Sequence, residues 1–198
     1  MRRRLVLPLL TLLLLASGLA HAAERAVPDT EPAVGAPDRI ALWPDGQVPG
    51  ESAPATVPDV IERSHDPALP DRYIDNVSAP YLVVYRPARP NGSALLVVPG
   101  GGYQRIVLDK EGTALVPAFV DQGGVTLFVL RYRLPAGRSD RQAALADAQR
   151  AMRVIRAGAT RWRIDPQRIG VMGFSAGGHI AARLSNGFDT PVYPHRDA

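Results

Sequence analysis

A Gly-Phe-Ser-Ala-Gly motif at residues 173–177 constrains the fold of this chain more than any other feature of its sequence. The motif follows the apolar run 168–172, which predicts a strand, and precedes residues 178–182, which predict a helix. A serine on such a sharp strand-to-helix turn presents its hydroxyl above the end of a sheet, and the flanking glycines let neighbouring backbone approach closely. The pattern therefore predicts an α/β fold with Ser175 as a candidate nucleophile.

The amino-terminal 22 residues have the pattern of a secretory leader. Three arginines precede an apolar stretch from Leu5 to Leu19, and Ala-His-Ala at 20–22 is a small-x-small cleavage site. An uncleaved membrane anchor is the alternative, but it needs about 20 apolar residues, and a proline and a glycine interrupt this stretch. We expect cleavage after Ala22, export to the periplasm or the extracellular space, and no stable membrane anchor.

Charge and composition argue against several other classes of function. The formal net charge is +4, and removal of the three leader arginines lowers it to +1 because 4 − 3 = 1. The remaining arginines are interleaved with acidic residues rather than clustered, so no nucleic-acid partner is expected. The chain has no cysteine, so its fold must depend on a hydrophobic core. No motif predicts a cofactor or a metal.

The mature chain divides into a lead segment at residues 23–70 and one α/β domain at residues 71–198. The lead segment is rich in proline and lacks a sustained hydrophobic period, which predicts an extended or partly disordered stretch on the domain surface. Residues 40–44 are apolar enough to dock on the domain. Regular structure is predicted to begin near Asp71.

The domain is predicted to alternate strands and helices. Residues 81–85 and 94–98 predict strands joined as a hairpin through the turn at Asn91-Gly92. A helix is predicted at 113–121 with Pro117 in its first turn, followed by a buried strand at 125–130. This order predicts a parallel sheet with crossover helices.

The longest predicted helix begins at a capping box, with Ser139 at the cap and Gln142 three residues later. Its apolar stripe is predicted to pack on the sheet and comprises Leu145, Ala148, Met152 and Ile155. Asp147 and Arg150 are expected on other faces, paired with each other or with water. The helix ends near Gly158, and residues 168–174 form the strand that leads to Ser175.

Serine is a poor nucleophile unless a base accepts its proton and N–H donors stabilise the charge on the attacked carbonyl oxygen. The N–H of Ala176, at the start of the predicted helix, is one candidate donor. Gly101 and Gly102 follow the strand 94–98 in a Pro-Gly-Gly-Gly-Tyr loop, whose bare N–H groups are the other candidates. The alternatives are a flexible glycine turn and a serine that only caps its helix.

Candidate acid and base residues are less well placed. His179 lies one helical turn after Ser175, which favours a structural histidine. Asp189 and His195 follow the serine in the order Ser, Asp, His, but they lie in a loop with no strand to return them to the sheet end. His65 belongs to the lead segment.

Several blocks of sequence resemble the α/β-hydrolase esterases related to acetyl xylan esterases and bacterial feruloyl/acetyl esterases. The matching blocks are residues 99–103, 110–112, 131–134, 147–151 and 165–179. The resemblance implies a secreted carboxylic ester hydrolase with a small-molecule or oligosaccharide substrate and no cofactor. By the same resemblance, Ser175 is the nucleophile and the oxyanion hole is formed by Gly101, Gly102 and Ala176. His179 matches a family histidine that is not the base.

In that family the acid and the base follow on later strands. The resemblance therefore implies that residues 71–198 are the amino-terminal part of an α/β-hydrolase domain, with the triad Asp and His absent from this chain. We expect such a fragment to be inactive alone. A non-catalytic hydrolase-like binding module and a serine peptidase of the same fold are the alternative functions.

Overall fold

The computed structural model describes residues 25–26, 38–43, 48–49, 57–134 and 141–194. The predictions for the leader, for Ser139 of the capping box and for His195 lie outside these residues. The strands in chain order are β1 (Arg25–Ala26), β2 (Asp38–Ala41), β3 (Asp59–Glu62), β4 (Arg72–Asp75), β5 (Tyr81–Tyr85), β6 (Ala94–Val98), β7 (Ile106–Val107), β8 (Thr126–Arg131) and β9 (Ile169–Gly173). The α-helices are α1 (Arg141–Ala157), α2 (Ala159–Trp162) and α3 (Ala176–Asn186).

The main sheet has five strands in the order β2-β5-β8-β6-β9. Strands β6, β8 and β9 are parallel, whereas β5 pairs antiparallel with β8 and β2 pairs antiparallel with β5. All six residues of β8 are buried, as expected for a strand covered on both faces. The prediction of an α/β fold with a sheet of this kind is confirmed, although the sheet is mixed rather than purely parallel.

The predicted hairpin between residues 81–85 and 94–98 is wrong. Strands β5 and β6 exist at the predicted positions, but β8 lies between them and pairs with both. The turn is present, since Gly92 has a positive φ of 85°. The apolar run 127–130 of β8 takes the central position between them, because the centre of the sheet buries both faces of a strand.

The segment predicted as a helix at 113–121 is not α-helical. It forms a 3₁₀ turn at Thr113–Leu115 followed by a π-helix at Val116–Gln122, with Pro117 near the start as predicted. The wide turn is seen where the N–H of Gly123 donates to the carbonyl of Ala118, five residues earlier, at 3.0 Å. Pro117 has no N–H, and in an α-helix its ring would clash with the carbonyl four residues earlier. The α-helical hydrogen-bonding pattern is therefore interrupted here.

Helix α1 packs on the sheet through the predicted stripe. Leu145, Ala148, Met152 and Ile155 are all buried, and the helix ends just before Gly158. The predicted strand before Ser175 is also confirmed as β9.

The prediction that Asp147 and Arg150 pair with each other or with water is wrong. Asp147 is 0% exposed and accepts hydrogen bonds from the Arg133 guanidinium, from the Arg133 backbone N–H at 2.9 Å and from the Trp43 indole at 2.9 Å. The Nε of Arg150 donates to the carbonyl of Leu42 at 2.8 Å. Burial raises the pKa of Asp147. The charge of Arg133 and the hydrogen bonds from Arg133 and Trp43 lower it, but they offset the effect of burial only in part.

Regular structure begins earlier than the predicted Asp71. Strand β2 adds to the edge of the main sheet, and β3 joins a second, antiparallel sheet in the order β1-β3-β4-β7. The expected docking of the apolar run near residue 40 is confirmed, since Leu42 and Trp43 are 0% and 5% exposed. Strand β1 pairs with β3, β2 pairs with β5, and β3 pairs with the next strand, β4. This cross-strand pairing stabilises short strands that the hydrophobic period of the segment does not reveal. Within the described ranges no helix is long and apolar enough to cross a membrane.

Candidate active site

Ser175 occupies a strained turn between β9 and α3. Its backbone has φ 48° and ψ −116°, and its side chain is exposed. A positive φ is uncommon for a residue other than glycine and costs conformational energy. The hydroxyl makes no capping bond to the first turn of α3, so the alternative of a serine that caps its helix is not supported.

Two glycines of the motif allow the turn to pack against β6. A Cβ at Gly177 would overlap the carbonyl oxygen of Val98, and a Cβ at Gly173 would overlap that of Gly177. The N–H of Phe174 donates to Val98 at 3.1 Å, which ties the turn to the end of β6. The close backbone approach predicted from the sequence is therefore present at both glycines.

The glycine loop that follows β6 lies directly beside Ser175. A Cβ placed on the buried Gly100 would be 3.0 Å from the Cβ of Ser175. Gly101 and Gly102 have φ of 134° and 67°, a backbone conformation that favours glycine. Among the hydrogen bonds of the described residues, the N–H groups of Gly101, Gly102 and Ala176 have no acceptor.

Two side chains anchor the start of this loop, and sequence patterns predicted no role for either. The hydroxyl of Tyr132 donates to the carbonyl of Pro99 at 3.1 Å, and the N–H of Gly100 donates to the carboxylate of Glu111 at 2.5 Å. Burial raises the pKa of Tyr132, so its phenol remains a donor at neutral pH. Both residues belong to blocks that carried the resemblance, which was the only signal for them.

The turn that presents Glu111 is fixed by the neighbouring Asp109. Its carboxylate accepts bonds from Arg72 Nε at 3.0 Å, Arg72 Nη2 at 2.7 Å, and Thr113 Oγ1 at 2.9 Å. Burial alone raises the pKa of Asp109, but the hydrogen bonds and charge of Arg72 outweigh it, so the pKa is lower than usual. The turn that contains Asp109 and Glu111 thus connects β4 of the second sheet to the glycine loop.

His179 contacts the glycine loop rather than the serine hydroxyl. Its Nδ1 is 2.6 Å from the hydroxyl of Tyr103, and the two rings are perpendicular with centroids 6.1 Å apart. Asp189 is exposed and accepts a bond from its neighbour Thr190 at 3.2 Å. Within the described part of the chain, no histidine or carboxylate is hydrogen-bonded to Ser175.

One family model matches this chain, and two curated proteins share sequence with it. The family model BD-FAE matches residues 82–191, more than half of the chain. An acetylxylan esterase of Xylanibacter ruminicola is 37% identical over 114 residues, which are 58% of this chain and 23% of the relative. Endo-1,4-beta-xylanase B of Butyrivibrio fibrisolvens is 37% identical over 97 residues, 48% of this chain and 15% of that protein.

A solved structure extends the similarity to three dimensions. An acetyl ester-xyloside bifunctional hydrolase from Caldicellulosiruptor lactoaceticus is 31% identical, with a TM-score of 0.55 over 78% of this chain and 48% of the hydrolase. The chain thus spans less than a quarter of each of the two sequence relatives and about half of this structure.

Proposed function

Because this chain belongs to the BD-FAE family and has part of an α/β-hydrolase fold, we propose that it contributes the nucleophile and the oxyanion hole of a secreted serine esterase. One observation supports the proposal above all others. Ser175 is exposed on a strained turn, and beside it lies a loop in which the N–H groups of Gly101 and Gly102 lack acceptors among the described residues. Strain of this kind is commonly found at active sites.

The proposed reaction is acyl transfer. The Oγ of Ser175 attacks the carbonyl carbon of an ester, and a base accepts the hydroxyl proton. The negative charge that develops on the carbonyl oxygen is stabilised by the N–H groups of Gly101, Gly102 and Ala176. The alcohol then leaves with a proton, and water hydrolyses the acyl-enzyme to release the acid.

We propose that the triad acid and base lie outside residues 1–198. His179 is engaged by Tyr103, and Asp189 makes no contact with Ser175 in the described structure. The chain also covers only part of its relatives. Without an acid and a base, residues 1–198 alone would retain only oxyanion-hole and binding effects, roughly 10³ to 10⁴ over water.

The proposed substrate is an acetylated or feruloylated carbohydrate, and acetylated xylan fragments are the substrate to test first. Two relatives carry names of this kind, an acetylxylan esterase and an acetyl ester-xyloside hydrolase. We further propose that the leader is cleaved after Ala22 and that the protein acts in the periplasm or outside the cell. No nucleic acid, cofactor or stable membrane anchor is part of the proposal.

The test compares the 198-residue chain with the product of its complete reading frame. A fluorophosphonate probe should label Ser175 in the active form, and the same form should release acetate from acetylated xylo-oligomers. Ser175→Ala should abolish both signals. Ser185→Ala is the matched control, because Ser185 lies on the same helix with its hydroxyl bonded to the carbonyl of Ala181 at 2.9 Å.

The other outcomes identify the alternatives. Absence of labelling in both forms would contradict the esterase proposal and favour a binding module. Faster cleavage of peptide amides than of acetyl esters would favour a serine peptidase. Rapid ester turnover by the 198 residues alone would refute the proposal that the acid and the base lie elsewhere.

A further inference from the structure

The peptide bond that joins Pro99 to Gly100 is held at both of its polar ends. Its carbonyl oxygen accepts from Tyr132 at 3.1 Å, and its N–H donates to Glu111 at 2.5 Å. We infer that Glu111 and Tyr132 are positioning residues that orient the oxyanion-hole donors by fixing this one peptide plane. The inference rests on the proposed function, because those donors are needed only if Ser175 attacks a carbonyl.

The orientation of the glycine loop depends on the hydrogen bonds that hold its peptide groups. Three consecutive glycines have the widest choice of backbone angles of any residue type, so a free loop would populate several arrangements. A Cβ at Gly102 would meet nothing within 4 Å, so packing does not restrict that residue, whereas a Cβ at Gly101 would overlap the carbonyl of Arg105. The Gly100 carbonyl accepts from the Val107 N–H at 3.0 Å, and the Gly101 carbonyl accepts from the N–H groups of Gln104 and Arg105 at 3.1 Å. The bonds that hold the preceding Pro99–Gly100 peptide act together with these in setting the direction of the N–H groups of Gly101 and Gly102.

The two anchors are suited to this task by burial and charge. Tyr132 is 0% exposed, and it follows β8, the most buried strand of the sheet. The Glu111 bond joins a carboxylate to a backbone N–H, and such charge-assisted bonds are about twice as strong as neutral ones. Rotation of the Pro99–Gly100 peptide would break both bonds at once, so together they oppose a peptide flip.

Glu111 is also close to the nucleophile without contacting it through a hydrogen bond in the described structure. A Cβ on Gly100 would lie 3.1 Å from Glu111 Oε2 and 3.0 Å from the Cβ of Ser175. The carboxylate oxygen that faces the loop is occupied by the Gly100 N–H. This arrangement fits a residue that acts through the loop rather than a general base.

Loss of either anchor should misalign the donors without removing them. Removal of an oxyanion-hole donor outright lowers kcat by about 10²–10³. A misaligned donor should cost less, so we expect kcat to fall by roughly 10- to 100-fold with KM nearly unchanged, as for an interaction made mainly in the transition state.

The test uses Glu111→Gln, Glu111→Ala and Tyr132→Phe in the form of the protein that labels at Ser175. Glutamine keeps a neutral acceptor, so the loss of kcat should be smaller for glutamine than for alanine. Because both anchors hold one peptide, the double variant Glu111→Ala with Tyr132→Phe should lose less than the product of the two single losses. Matched controls are Lys110→Gln, beside Glu111, and Tyr193→Phe, another buried tyrosine.

Hydrogen exchange supplies a readout that does not need activity. In the 198-residue chain, Glu111→Ala should lower the protection of the Gly100 amide by about tenfold or more at unchanged global stability, because its acceptor is lost. If no form labels at Ser175 while this exchange change is seen, the esterase proposal fails and the anchoring contact stands. Values of kcat for Glu111→Ala and Tyr132→Phe within twofold of wild type, or unchanged Gly100 protection, would overturn the inference.

Discussion

Replacement of Asp147 should destabilise the fold more than any exposed substitution. Asp147 is 0% exposed, and its carboxylate accepts from Arg133 and Trp43, so it links α1 to the segment after β8 and to the lead segment. In Asp147→Ala the Arg133 charge stays buried without its carboxylate. The carbonyls of Pro49 and Ala143 remain as acceptors for this guanidinium, at 2.7 and 3.2 Å.

The magnitude follows from these contacts. Breaking a buried ion pair from one side costs about 3–5 kcal/mol. The unpaired Trp43 indole would add about 1–3 kcal/mol, but the two remaining carbonyl acceptors of Arg133 offset part of the loss. We expect a decrease in the free energy of unfolding of about 4 kcal/mol, a large part of the 5–15 kcal/mol that stabilises a typical domain.

Urea denaturation of the purified chain measures this decrease. With a slope of about 2 kcal/mol per molar urea, the midpoint should fall by about 2 M. Asp121→Asn is the matched control, because Asp121 is exposed, and its change should stay within about 0.5 kcal/mol.

A paired substitution tests the physical reason. Arg133→Met together with Asp147→Leu removes both charges, so the double variant should be more stable than Asp147→Ala by about 2 kcal/mol or more. A loss below about 1 kcal/mol in Asp147→Ala, or no recovery in the double variant, would refute the conclusion that an uncompensated buried charge causes the instability.

Three further results are expected. Gly177→Ala should lower stability by about 3 kcal/mol or more because its Cβ would overlap backbone of β6, whereas Gly178→Ala, with its nearest neighbouring atom at 3.3 Å, should be tolerated in the same thermal melts. Because the pKa of Asp109 is lowered in the fold, its charged carboxylate stabilises the fold at any pH above the ordinary pKa of 3.8, and this stabilisation is lost as the pH falls through the lowered pKa. Asp109→Asn should therefore cost less stability in urea melts at pH 3 than at pH 6. An equal cost at the two pH values would contradict the assignment. His179→Gln should reduce probe labelling of Ser175 by less than about tenfold, since loss of a true triad base removes nearly all activity, and complete loss of labelling would identify His179 as the base.

Local sequence rules predicted the turn at Ser175 well. A strand, a Gly-x-Ser-x-Gly turn and a helix are successive in the chain, so their geometry depends on neighbours within about ten residues. The apolar stripe of α1 and the strands β8 and β9 were predicted for the same reason, because hydrophobic period is a local property. The docking of Trp43 was predicted from its apolar surroundings alone.

Two of the wrong predictions concern partners that are distant in sequence, and a third concerns a local bonding pattern. Asp147 lies outside the apolar stripe of α1, so its position in the helical period predicts exposure. Only the approach of Arg133 and Trp43 makes its burial favourable. The pairing of β5 with β8 could not be read from the turn at Asn91-Gly92, because sheet order depends on which strand buries most surface. The π-helix at Val116–Gln122 is the local case, because hydrophobic period does not specify which carbonyl each N–H bonds.

The sequence by itself determined the local chemistry of this protein: a serine on a sharp turn, a glycine loop after an apolar strand, and blocks typical of one esterase family. The tertiary structure alone decided how those pieces are held. Glu111 and Tyr132 reach the loop from 11 and 33 residues away, and their roles exist only after β8 and β6 have paired. The physical reason is that a turn is specified by neighbouring residues, whereas the orientation of a flexible loop is specified by whatever the rest of the fold brings against it.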